Sequence, residues 1–384
     1  MRSIATRRIF IAAFLVLTLL PSLQMATRWL PELDIDEQRT LAAPPSMAHP
    51  DRYLQQANSW FSDHFGLRAL LIRLKATVDY RLFRVSDKVH VGRDGYLFYR
   101  STLDVEKPAV DAYLGTHEAA VVEGVRRYAE ALQQKGIGMV MVVNLLGDRF
   151  LPDKLPASVA ERPPLRRIDS LLNKLKQVPN VTFIDSTAIL HETERSRPIF
   201  HRTDFHWNDP AAYPVAKGVV DAMSRAEGLA GSAWTHPLSY ETQSYSGGIA
   251  RFMPLLRSPT EKSIFVTPSW QWPGGFTSVS GPAPYTDVSH VAPGSKGLLH
   301  PVLFVGDSFM DAWMRNGMAA YFEASYRLRW GEGLRLSAIT SAIPSDARWV
   351  TVQFIEVQQA ALQAFADKAD VTRSIDLLQA RAVR

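Results

Sequence analysis

Four runs of this chain are apolar over most of their length: "GMVMVVNLL" (138–146), "VTFIDST" (181–187), "VLFVGDS" (302–308) and "WVTVQFIE" (349–356). A strand with one wet face alternates polar and apolar residues. A strand buried on both faces does not, and such strands occur almost only in parallel sheets covered by helices. The segments between them carry helical spacing: His117–Lys135 ahead of the first run, Arg166–Gln177 ahead of the second, Asp311–Arg327 after the third, and a carboxy-terminal helix after the fourth. Apolar strands alternating with helices predict an α/β fold, a parallel sheet with helices on both faces.

The amino terminus constrains where that domain works. Arg2, Arg7 and Arg8 precede an apolar run from Ile9 to about Leu23, and counting on to Ala26 gives eighteen residues. Eighteen residues make about 27 Å of helix at ~1.5 Å per residue, enough to cross a bilayer core. The basic flank predicts a cytoplasmic amino terminus and an exported domain, held by a single-pass inner-membrane signal anchor with the folded domain in the periplasm. A cleaved signal peptide is the rival reading, but Pro21, Leu23, Gln24 and Met25 crowd the place where small residues would be needed. The expected organisation is residues 1–28 as cytoplasmic end and anchor, 29–52 as a proline-rich linker, and 53–384 as one domain with an insertion at about 234–299. Within that domain, Asp51–Phe83 reads as one or two amphipathic helices interrupted near Gly66, with apolar residues at helical spacing from Leu54 to Leu74, and Arg93-Asp94-Gly95 as the turn of a hairpin.

Composition excludes several functions. The net charge is +5 with no dense Lys/Arg block, which suits an anionic polymer or lipid surface and gives no sign of nucleic acid as a partner. With no cysteine in 384 residues, disulfides, thiolate metal sites and a cysteine nucleophile are all ruled out.

Two strings carry chemistry. In "FVGDSFM" a buried strand ends in Gly306-Asp307-Ser308, which places Ser308 at the carboxyl rim of the sheet, where ligands of open α/β sheets bind. The same residues also suit a plain turn with a helix cap. A serine hydroxyl needs a base, and the base needs an orienting acid. "TDFHWND" offers both, because Asp204 and His206 at i and i+2 of an extended segment point the same way. A structural histidine is the plainer alternative. A metal set of His201, Asp204 and His206 is another, but no further ligand cluster accompanies it, so no metal is expected. Trp207, beside the base, is a candidate for stacking on a sugar ring, whereas Trp270, Trp272 and Trp330 read more simply as core.

Taken together, "FSDHFGLR" (61–68), "VHVGRDGYLFY" (89–99), "TDFHW" and "FVGDSF", in that order, resemble the alginate O-acetyltransferase family of the AlgJ/AlgX type. That family has an SGNH-hydrolase-like (flavodoxin-like) fold with Asp-x-His ahead of Gly-Asp-Ser, and the resemblance covers about Leu54 to Glu356. It implies Ser308 as nucleophile, His206 as general base and Asp204 as its orienting acid. It also implies an exported polysaccharide as substrate, an integral membrane O-acyltransferase as acetyl source, association with polysaccharide export machinery, and no cofactor. The separate Gly and Asn blocks of ordinary SGNH hydrolases are not identifiable. Asn144, at a strand end, and Asn316 beside Gly317 are the candidates for oxyanion or substrate contacts. "FIEVQQ" stands where the family often carries an acid–arginine pair. A polysaccharide acetylesterase with the same triad, and a polysaccharide-binding scaffold without catalysis, are the alternatives to a transferase.

Overall fold

A computed structural model of the chain describes residues 2–30, 35, 40–104, 109–156, 159, 166–267, 276–292, 294–331 and 333–381. The elements begin with α1 (Arg2–Thr27), α2 (Tyr53–His64), α3 (Arg68–Val78), β1 (Val89–Val91), β2 (Leu97–Tyr99), α4 (Arg100–Leu103), α5 (Ala109–Gln134) and β3 (Gly138–Asn144). Next come α6 (Arg167–Leu175), β4 (Val181–Ile184), α7 (Ser186–Glu194), α8 (Asp209–Ala226), β5 (Tyr240–Tyr245), α9 (Gly248–Arg251), β6 (Glu261–Val266), β7 (Thr277–Ser280) and β8 (Asp287–His290). The chain closes with β9 (Val302–Gly306), α10 (Met310–Arg315), β10 (Ala324–Arg329), α11 (Leu336–Ser341), β11 (Trp349–Ile355), α12 (Gln359–Ala366) and α13 (Lys368–Ala380).

These fall into two compact units, Met1–Val91 with Gly248–Pro259, and Gly92–Gly247 with Thr260–Arg384. The first contains the apolar helix, Thr6–Thr27 of which is long and apolar enough to cross a membrane, and the amphipathic pair α2 and α3. The break between that pair falls at Phe65–Leu67, around Gly66.

The second unit is built on a seven-stranded sheet of order β4-β3-β11-β9-β10-β8-β7. From β4 to β10 neighbouring strands run parallel, and β8 and β7 add an antiparallel edge. Every residue of β9 and β11 is buried, which requires cover on both faces, and the alternation-free runs of the sequence follow from that. Helix α5 shows how the cover forms: Leu114, Val121, Val125, Tyr128 and Leu132 are spaced along one face and all are buried. Helix α8 starts where Asn208 accepts the Ala211 N–H at 3.0 Å, with Pro210 in the first turn.

Two expectations change. The helix read over 311–327 is a six-residue helix, a short turn and the strand β10. Gly317 stops it at φ 92°, a conformation that asks for glycine, and the apolar residues beyond sit between β9 and β8 rather than on a helix face. The sheet is also not purely parallel, because β7 and β8, from the stretch read as an insertion, pair onto its edge.

Candidate active site

The serine turn is set by its neighbour. Asp307, buried at the end of β9, accepts hydrogen bonds from the Phe309 N–H (2.9 Å), Gln353 Nε2 (2.9 Å) and the Ile355 N–H (2.6 Å). Gln353 Oε1 in turn accepts the Asp307 N–H at 3.0 Å. Burial pushes the Asp307 carboxyl up, and these hydrogen bonds oppose the shift. Asp307 therefore ties the turn to β11 and is spent on structure. Ser308, next in the chain, is part-exposed, and among the described residues its N–H donates to no protein group.

The base arrives on a short irregular loop pinned at its root. The His201 N–H donates to His206 O (3.2 Å) and the Asn208 N–H to Ile199 O (3.0 Å), which folds residues 199–208 back on themselves. Asp204 Oδ1 then accepts from the Phe205 N–H (2.7 Å) and His206 Nδ1 (2.8 Å). With Nδ1 protonated towards the carboxylate, Nε2 is left as an acceptor, and it lies 2.7 Å from Ser308 Oγ. The rings of Phe205 and Phe309, centred 4.0 and 4.9 Å from the imidazole, flank it with apolar surface. The two strings, 102 residues apart in the chain, thus meet as a hydrogen-bonded serine–histidine–aspartate chain.

The loop is braced from two sides by residues that sequence reading missed. From β5, Tyr245 OH donates to Asp204 Oδ2 at 2.5 Å. From β6, Glu261 Oε1 accepts from the Thr203 N–H and Oγ1, both at 2.7 Å, and Oε2 accepts the Arg202 N–H at 2.9 Å. On the other side the Leu97 N–H donates to Arg202 O at 2.8 Å, and the Tyr99 ring lies 5.3 Å from that of Phe205. The string around Gly-Tyr-Leu-Phe-Tyr is therefore a buttress for the loop carrying the base. Nothing local in the sequence marks Tyr245 or Glu261, because both meet the loop from about 40–60 residues downstream.

Replacing Tyr245 with phenylalanine leaves a buried carboxylate oxygen without that donor, and should cost about 1–3 kcal/mol of stability. Acetyl-ester turnover is expected to fall about tenfold through kcat, with KM little changed, because the hydroxyl removed is bonded to Asp204, the acid behind His206. An unchanged kcat would show that Asp204 is held without it.

The other site candidates land elsewhere. Trp207, expected to face a sugar, is 0% exposed. Its ring packs on Phe309 and Trp313, and its Nε1–H donates to Phe309 O at 3.0 Å, so it welds the histidine loop to the serine turn. Asn316 is a buried strut: Nδ2 donates to Asp209 O and Ala312 O, each at 2.8 Å, and Oδ1 accepts from Tyr240 OH. Neither can touch a substrate. Asn144 ends β3, two strands from β9, and its buried carboxamide has no hydrogen-bond partner among the described residues. His201 is buried, its pKa lowered chiefly by that burial, and its Nδ1 is 2.5 Å from Ser263 Oγ. Trp330 donates to Gln353 O in the core; Trp270 and Trp272 lie outside the described residues.

"FIEVQQ" does supply an acid with arginine partners, but the arginines come from other segments. Glu356 Oε1 accepts the Leu146 N–H (2.8 Å), and Oε2 lies 3.5 Å from Arg166 and 3.9 Å from Arg149. Burial first, and the Asp148 carboxylate second, push Glu356 up to about 7 against the pull of the two arginines. Between pH 4.5, its ordinary value, and about 7 the folded chain keeps a proton that the unfolded chain has released, so stability falls as pH rises through that window. Glu356→Gln removes this titration. The variant should gain on the native chain by on the order of 2–3 kcal/mol between pH 4.5 and 8 in urea unfolding. Parallel stability curves would refute the shift.

A mostly parallel sheet with a serine at the rim of a central strand, and an Asp-x-His pair against it, defines a protein of the SGNH hydrolase-like class. Residues 89–267, which include Asp204 and His206 and end before Ser308, match the family described as the SGNH hydrolase-like domain of the acetyltransferase AlgX. Among solved structures, the chain is similar to the O-acetyltransferase domain of Pseudomonas putida AlgJ, with 20% identity, 75% of this chain and 98% of that one covered, and a TM-score of 0.49. It is similar to Bacillus cereus PatB1 at 13% identity, covering 70% and 97%, TM-score 0.49. Pseudomonas aeruginosa AlgX gives 16% identity, 81% and 70% covered, and a TM-score of 0.45. No curated protein matches the chain.

Proposed function

We propose that this chain transfers acetyl groups to hydroxyls of an exported polysaccharide through an acetyl-serine intermediate on Ser308. The observation that carries the reading is the 2.7 Å contact between Ser308 Oγ and His206 Nε2, with Asp204 on the other imidazole nitrogen. In the first half-reaction Ser308 Oγ attacks the acetyl carbonyl while His206 takes its proton, then returns that proton to the departing donor group. In the second, a sugar hydroxyl gives its proton to His206 and attacks the acetyl ester. Ser308 recovers the proton as it leaves. Asp204 stabilises the imidazolium formed each time, and the uncommitted Ser308 N–H is placed to receive charge on the carbonyl oxygen.

The apolar helix α1, with Arg2, Arg7 and Arg8 at its start, supports a single-pass anchor with the second unit in the periplasm. There acetyl-coenzyme A is not at hand, so the donor is the acetyl group passed outward by an integral membrane O-acyltransferase, working beside the polymer export machinery.

A chromogenic acetyl ester tests the reaction. The native chain should release acetyl slowly and acetylate an added oligosaccharide at the ester's expense. Release to water alone, with acetyl only ever removed from polymer, would replace the transferase reading by an esterase.

A further inference from the structure

Helix α3 presents an apolar face that nothing among the described residues of its own unit covers. Leu71, Leu74, Val78 and Leu82 recur at helical spacing and, with Phe83 and Val85, are exposed, Leu82 at 71% and Phe83 at 65%. Elsewhere the same helix is occupied: Arg73 Nη1 donates to Leu255 O at 2.9 Å, and Thr77 Oγ1 accepts the Leu256 N–H at 2.9 Å. The segment from 68 to 88 also carries Arg68, Arg73, Lys75, Arg81, Arg84 and Lys88 against only Asp79 and Asp87. An apolar face with basic residues around it is the composition of a helix lying in an anionic lipid interface.

What selects lipid as the occupant is the depth at which this helix pair joins α1. Gly66, in the turn between α2 and α3, packs so closely on α1 that an added Cβ would run into Pro21 O and stand 3.0 Å from Gln24 Cβ. Arg8 and Arg28 bracket the apolar helix twenty residues apart, about 30 Å at ~1.5 Å per residue, the thickness of a bilayer core. Pro21 and Gln24 lie four to seven residues before Arg28, so the turn meets α1 about 6–10 Å below that boundary. Amphipathic helices bury their apolar faces to about 5–10 Å in the headgroup and acyl boundary.

We propose that the apolar face of α3 and its extension to Val85 lies in the outer-leaflet interface of the membrane that α1 spans, as a second, monotopic attachment. This rests on the reading of α1 as a membrane span. Its consequence is that the first unit is held against the bilayer at two places instead of swinging on a single tether.

The absence of native cysteine makes a clean test possible. The full chain is reconstituted in vesicles of phosphatidylethanolamine and phosphatidylglycerol with one nitroxide-labelled cysteine at a time, at Leu82→Cys, Phe83→Cys, Leu19→Cys in α1, or Arg195→Cys on the exposed end of α7. Each variant is first checked for unchanged acetyl-ester turnover. The Leu82 and Phe83 labels should behave like the Leu19 label, with frequent collisions with oxygen and collisions with a water-soluble nickel complex several-fold fewer than at Arg195. If they follow Arg195 while the Leu19 label stays in lipid, the anchor stands and the interfacial face is wrong. Labels shielded from both reagents would mean that protein, a partner or a second copy, covers the face, which also overturns the proposal. A water-accessible Leu19 label would remove the spanning helix, and this inference with it.

Discussion

Ser308→Ala is expected to lower acetyl-ester turnover by roughly 10⁴–10⁶-fold, to the level left by binding and backbone donors alone. The substitution removes one hydroxyl and one hydrogen bond, to His206 Nε2, so stability should change by no more than about 0.5–1.5 kcal/mol. His206→Ala should be about as damaging, and the double variant hardly worse, because a nucleophile and its base fail as a unit. In cells, the acetyl content of the polymer should fall with Ser308→Ala. Unchanged turnover and unchanged polymer acetylation, with a folded variant, would leave the scaffold reading in place of catalysis.

Asp204→Asn is expected to cost about 10⁴-fold in kcat with the fold intact. The carboxylate has committed both oxygens, Oδ1 to the Phe205 N–H and His206 Nδ1, Oδ2 to Tyr245 OH. An amide in that place has two arrangements. With its oxygen towards His206 it keeps the tautomer but loses the charge that stabilises the imidazolium. With its NH₂ towards His206 it meets the Nδ1 proton, and relieving that clash moves the proton to Nε2, where Ser308 needs an acceptor. A loss of tenfold or less, comparable to that predicted for Tyr245→Phe, would mean that Asp204 only places the ring and contributes no charge to the step.

Glu356, just past the end of β11, and Asn144, at the end of the adjoining β3, illustrate a different limit. The Glu356 N–H donates to Asn144 O at 2.8 Å, and its carboxylate answers arginines from positions 149 and 166, some two hundred residues upstream. A search for an acid and an arginine within one motif does not find such a pairing. The same holds for Tyr245 and Glu261, which lie in a Gly-, Pro- and Ser-rich stretch whose composition marks only an irregular segment, yet whose β5–β6 hairpin braces the loop carrying the base.

What the sequence determined by itself was whatever depends on near neighbours. The buried parallel strands were legible because burial on both faces removes alternation from a short run. The chemistry-bearing strings were legible because an acid and an imidazole two apart, and a serine at a strand's end, have local meaning. The apolar helix was legible from length and charge. Tertiary structure decided the rest. It brought Ser308 within 2.7 Å of His206 across 102 residues, and placed the Tyr245 hydroxyl on Asp204 Oδ2. It turned Trp207 and Asn316 from prospective substrate contacts into buried struts, and split the helix expected after Ser308 at Gly317 to make β10. The physical reason is that a side chain's hydrogen-bond capacity is set by its type, while the partner that uses it is set by which distant backbone the packed core brings alongside.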